Sequence, residues 1–76
     1  MYHRIEFRLK ALAEAERPGN VRLEPLVIKA GTQLRALIKP YVIETNQGPV
    51  EVADLCFEDG SVAHSVRYAS FRFIDG

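Results

Sequence analysis

The chain of 76 residues has no Trp, one Cys and one Met, and its charges cancel, with ten Lys and Arg against ten Asp and Glu. A single cysteine, Cys56, rules out an internal disulfide. Two histidines, His3 and His64, lie far apart in sequence and cannot by themselves close a zinc site, so no metal or other cofactor is expected. Zero net charge argues against a dedicated nucleic-acid binder, which usually carries a basic excess. No apolar run approaches the roughly 20 residues that a membrane-crossing helix needs. The start, Met1-Tyr2-His3-Arg4-Ile5-Glu6, alternates charged with apolar residues and lacks the apolar stretch of an export signal. With a lone thiol, this makes a cytoplasmic location the expectation.

A chain this short makes one domain, residues 1–76, and buries only roughly 60% of the surface exposed on unfolding. Small domains usually compensate with disulfides, metals or oligomerisation. The first two are closed off here, so the sequence favours a homo-oligomer over a monomer.

What is present is β-patterned. Ile5, Phe7 and Leu9 alternate with Arg4, Glu6, Arg8 and Lys10, the period of a strand with one wet face. The following residues, Ala11 to Glu16, are strong helix formers and predict one or two helical turns near 11–17. Their odd-position alanines would instead extend the strand. Arg17-Pro18-Gly19-Asn20 is a turn. Pro25 suggests a sheet edge or bulge, and the run Leu26-Val27-Ile28 suggests burial on both faces. Residues 33–39 fit a short helix or a strand bent at Pro40, and Tyr41-Val42-Ile43 favours strand.

The clearest signal is a hairpin. Val50 to Phe57 meets the turn Glu58-Asp59-Gly60, and a second run extends from Ser61 to Ile74. In the second run Val62, Val66 and Tyr68 share one phase, while Phe71 and Phe73 hold the other. A bulge or break near Ala69-Ser70 would account for that, and a similar switch falls at Val52-Ala53. Bent strands curl sheets. The expected fold is therefore mainly β, a small SH3-like or related barrel of five or six strands.

Six residues are candidates for binding: His64, Arg67, Tyr68, Arg72, Tyr41 and Asp54. Pairing about Asp59 brings Asp54 near His64, an acid/base pair in principle and more commonly a structural one. Tyr41, Tyr68, Arg67 and Arg72 could offer stacking and cationic groups to nucleic acid, or the Tyr- and Arg-rich surface of an interface. Cys56, between Leu55 and Phe57, reads as a small core hydrophobe. Ser65-Val66-Arg67-Tyr68 is similar in position to the Ser-Val-Gln-Ile-Tyr strand of small, plasmid-borne dihydrofolate reductases, SH3-like barrels whose active site forms at the centre of a tetramer. The match is one residue short and lacks the Gln and Ile that the chemistry uses, so no residue role is carried over. The leading expectation is a non-enzymatic domain that self-associates and binds a partner protein or ligand through a sheet face or edge. A nucleic-acid-binding module and an oligomer-centred enzyme are the alternatives.

Overall fold

The computed structural model describes residues 1–75. Seven antiparallel strands form one sheet: β1 (Tyr2–Phe7), β2 (Ala11–Glu16), β3 (Glu24–Ile28), β4 (Gln33–Thr45), β5 (Gly48–Cys56), β6 (Val62–Arg67) and β7 (Phe71–Phe73). Their order is β3-β2-β6-β5-β4-β1-β7, so the sheet curls into a half-barrel and leaves β3 and β7 as its margins. Among the described residues, no helix is long and apolar enough to cross a membrane.

The expected helical turns near 11–17 are strand β2, and residues 33–39 belong to strand β4, which raises the count from five or six to seven. Tertiary burial overrides helix propensity at β2. Ala11 and Ala15 are buried, while Leu12, Glu14 and Glu16 face water. Leu26-Val27-Ile28 is not buried on both faces: Val27 is exposed, because like its partner Leu12 it points to the uncovered side of the sheet. Pro25 sits in this marginal strand, where its missing N–H leaves no interior ladder position empty.

The hairpin forms as its turn residues dictate. Gly60 donates its amide to the Phe57 carbonyl at 3.0 Å, and Phe57 donates to Ser61 at 2.9 Å. Gly60 has a φ of +90°, which favours glycine, and a Cβ there would press on the Pro18 ring, 3.1 Å from its Cγ. Asp59 Oδ1 accepts the Ser61 amide at 2.8 Å and fixes the turn from within.

Two phase changes shape the sheet. In β5, burial falls on Val52 and then immediately on Ala53 and Leu55, the switch expected at Val52-Ala53. After β6, a single 3₁₀ turn (Tyr68–Ser70) intervenes before β7, at the expected break. A third irregularity has no counterpart in the expected pattern. Ala53 pairs with Val66 and Leu55 with Ala63, so Asp54 alone faces both His64 and Ser65. This β-bulge turns Val62 outward and Val66 inward, although the two share a sequence phase.

The concave face holds the core: Ile5, Phe7, Ala36, Leu55, Val66 and Phe71 form its centre, with Ala11, Ile28, Ala53 and Ala63 filling tight places. Phe7, Phe71 and Tyr68 form a chain of tilted rings, with centroids 5.6 and 5.3 Å apart.

Candidate functional site

The bulge builds a polar network that crosses four neighbouring strands. Asp54 on β5 is its hub. Its Oδ1 accepts the Ser65 amide at 3.0 Å and the Tyr41 hydroxyl at 2.8 Å. Its Oδ2 lies 3.1 Å from His64 Nδ1. The other ring nitrogen, Nε2, lies 2.8 Å from Glu16 Oε1 on β2. Tyr41 and Ser65 also join hydroxyl to hydroxyl at 2.8 Å. The line Glu16–His64–Asp54–Tyr41 thus runs β2-β6-β5-β4 across the convex side of the sheet.

Local backbone geometry sets this arrangement. Ser65 is the one non-glycine among the described residues with positive φ, +59°. That left-handed turn presents its amide to Asp54 instead of to a ladder carbonyl. Such a conformation costs a residue with a Cβ on the order of 1–3 kcal/mol, offset here by the bonds from Asp54 and Tyr41.

Charge follows from these contacts. For Asp54, partial burial works to raise the pKa. The Ser65 amide, Tyr41 hydroxyl and His64 ring together outweigh it and hold the carboxyl below its ordinary value. For His64 the Glu16 bond acts most strongly and raises the pKa. Burial opposes it, the Asp54 bond reinforces it, and the net is a pKa above the ordinary value. With a carboxylate oxygen at each ring nitrogen, imidazolium is the form that satisfies both, since it donates from both nitrogens.

This geometry does not assemble a nucleophile. Ser65 Oγ pairs with Tyr41, not with the imidazole, and both imidazole nitrogens face carboxylates. Among the described residues, no cluster of three or more His, Cys, Asp and Glu side chains is arranged to hold a metal ion.

Of the six sequence-predicted candidates, the structure brings together three: His64, Asp54 and Tyr41. Tyr68 opens the 3₁₀ turn and packs against Phe71. Arg67 is exposed at the end of β6. Arg72 lies on β7, at the far margin from β3, where its Nε and Nη2 donate to Glu6 Oε1 at 3.1 and 2.7 Å. Of the aromatic and basic set, Tyr41 and Arg67 flank Val52 in one cross-strand row, while Arg72 lies at the β7 margin. Cys56 is half-buried and free. Sequence reasoning missed Glu16 and Ser65. Reading Ala11 to Glu16 by alternation would have found Glu16, because it puts Glu14 and Glu16 on one face. Nothing local in the sequence marks Ser65 as left-handed.

A second surface lies beside the network. Leu12 on β2 pairs with Val27 on β3, and both point outward, 69% and 56% exposed. Leu23, half exposed, joins Leu12 and His64 along a shallow groove. In comparison with known proteins, the chain matches no protein-family profile, no curated protein and no solved structure.

Proposed function

We propose that the chain is a small binding domain that self-associates through the β3 margin of its sheet. The observation that carries this reading is the exposed Leu12–Val27 pair beside a strand with a neighbour on one side only. A margin strand offers unpaired N–H and C=O groups to another strand, and such strands are normally blunted by charge. Here Pro25 removes one edge N–H, but the outward side chains Leu12, Leu23 and Val27 beside it are aliphatic. Self-pairing would cover both the backbone edge and the apolar strip. A small domain with a thin core gains most from such burial. An SH3-like barrel remains part of the reading, supported by the 3₁₀ turn before a short last strand.

The nucleic-acid reading has less support, because Glu6 neutralises Arg72 and Arg67 stands apart from it. An oligomer-centred enzyme would need a free acid or base, and the His64 ring is occupied at both nitrogens.

Sedimentation equilibrium at micromolar to millimolar chain concentration tests the proposal. A dimer or larger species is expected, and Leu12→Glu together with Val27→Lys is expected to return it to monomer with an unchanged circular-dichroism spectrum. A strict monomer across that range, or an oligomer indifferent to both substitutions, overturns it.

A further inference from the structure

The β2–β3 hairpin is attached to the rest of the sheet by a short ladder. β2 pairs with β6 only from Glu14↔His64 to Glu16↔Val62, and β3 pairs with β2 alone. The ladder stops where the left-handed Ser65 breaks the regular strand. At that stopping point sits His64, held on one side by Asp54 of the central sheet and on the other by Glu16 of the hairpin.

We infer that Glu16, His64 and Asp54 form a proton-operated latch that fastens the β2–β3 hairpin to the central strands and releases it from the β2 side when His64 becomes neutral.

The direction of release follows from counting donors. Imidazolium has two N–H groups and satisfies both carboxylates. Neutral imidazole has one, so one carboxylate must face a lone pair and withdraw. The two carboxylates are unequal. Asp54 is anchored by the Ser65 amide and the Tyr41 hydroxyl, and its side chain is 25% exposed. Glu16 has no other hydrogen-bond partner among the described residues, and its side chain is 54% exposed. Although the Glu16 contact is the shorter, 2.8 against 3.1 Å, the better-anchored Asp54 keeps the proton on Nδ1, and Glu16 lets go.

The surrounding charges point the same way. From β2, Glu14 stands directly opposite His64, in addition to Glu16. From β5 comes Asp54, and from β4 come Tyr41 and Lys39, which stands opposite Asp54. β6 itself adds Ser65 and Arg67, and Leu23, just before β3, adds an uncharged side chain. Two carboxylates thus hold the imidazole, and a third residue, Glu14, stands opposite it in the ladder. Loss of its charge leaves Glu16 on β2 without the cation it pairs with. The inference stands on contacts within one chain and does not depend on self-association.

The test is amide hydrogen exchange of the whole chain, followed residue by residue by NMR through the titration of His64, with ¹⁵N shifts of the ring reporting the tautomer. Protection factors of the slowly exchanging β2 and β3 amides are expected to fall by about tenfold as His64 deprotonates. Those of β4 and β5 are expected to hold, and the neutral ring is expected to carry its proton on Nδ1. Glu16→Gln supplies the control. A carboxamide accepts from the imidazolium and donates to the neutral ring, so the fall in protection is expected to disappear in that variant. Unchanged β2 protection across the titration overturns the latch. So does an equal fall in Glu16→Gln, or a neutral ring protonated on Nε2.

Discussion

Two hairpins of this sheet are built from different materials. The β4–β5 hairpin pairs continuously from Leu37↔Cys56 to Thr45↔Gly48 and buries Leu55, Val52 and Ala36. The β2–β3 hairpin presents only Ala11, Ala13 and Ala15 inward from β2, with Leu26 and Ile28 beside them on β3, and joins β6 over a short stretch. Burial stabilises roughly in proportion to apolar area, at about 25 cal/mol per Å². Alanine has little area to bury, so the first hairpin is held by packing. The second relies more on cross-strand polar contacts at its outer end. What the difference teaches is that one sheet can have a firm half and a conditional half without any change of secondary structure.

The sharpest way to break the comparison is to remove packing from the firm half. Leu55 is fully buried, and Leu55→Ala is expected to cost about 2–5 kcal/mol in urea unfolding. A loss below 1 kcal/mol would show that β5 does not anchor the core. On the conditional side the expected failure is crowding. Ala15 faces Ala63 across the ladder, both buried, so Ala15→Leu is expected to cost about 1–3 kcal/mol through strain. If it stabilised the protein instead, the space beneath β2 would be a void rather than a tight fit.

Substitution at the bulge separates backbone from side chain. Ser65→Val places a β-branched residue at φ +59° and is expected to cost about 1–3 kcal/mol. Ser65→Gly relaxes the backbone while losing the bond to Tyr41, and is expected to stay within about 1 kcal/mol of the parent. Equal effects of the two would place the cost in the hydroxyl alone.

The smallest expected effect is that of pH. His64 has a raised folded pKa, so its contribution is complete below the unfolded value of about 6.5 and is lost as pH rises through the folded one. Asp54 has a lowered folded pKa, so its contribution is complete above about 3.9 and is lost as pH falls through the folded one. Urea midpoints are therefore expected to peak in mildly acidic solution. The alkaline decline should vanish in His64→Gln. A midpoint that stayed level across the titration of His64 would assign the network no role in stability.

The legible and illegible parts of this molecule divide along the same line. The β5–β6 hairpin could be read because Asp59-Gly60 specifies its turn locally, and pairing about that turn placed Asp54 against His64. The final break could be read because Tyr68, Phe71 and Phe73 change phase. Strand β2 resisted reading because alanine and glutamate favour helix in isolation, and only neighbours distant in sequence settle the matter. Glu16 went unnoticed with it. The bulge was hidden for a related reason: Val62, His64 and Val66 keep a clean period of two, and the backbone at Ser65 breaks it. Exposure of Val27 depended on one face of the sheet staying uncovered, which only the packing of the whole chain decides.

The pairing of β1 with β7 has a kinetic consequence. Ile5 meets Phe73 and Phe7 meets Phe71, so a ladder at the core joins nearly opposite ends of the described chain. The β4–β5 and β5–β6 hairpins need only short loops and can form early. Strand β1 must find β4 across β2 and β3, and then wait for β7 to cover its other side. Contacts of such long sequence separation slow folding because loop closure precedes their reward. The last event in assembling this sheet is thus expected to be the arrival of Phe71 beside Phe7 and of Phe73 beside Ile5. Until then β1, with its two large buried side chains, is the unsealed seam of the nascent protein.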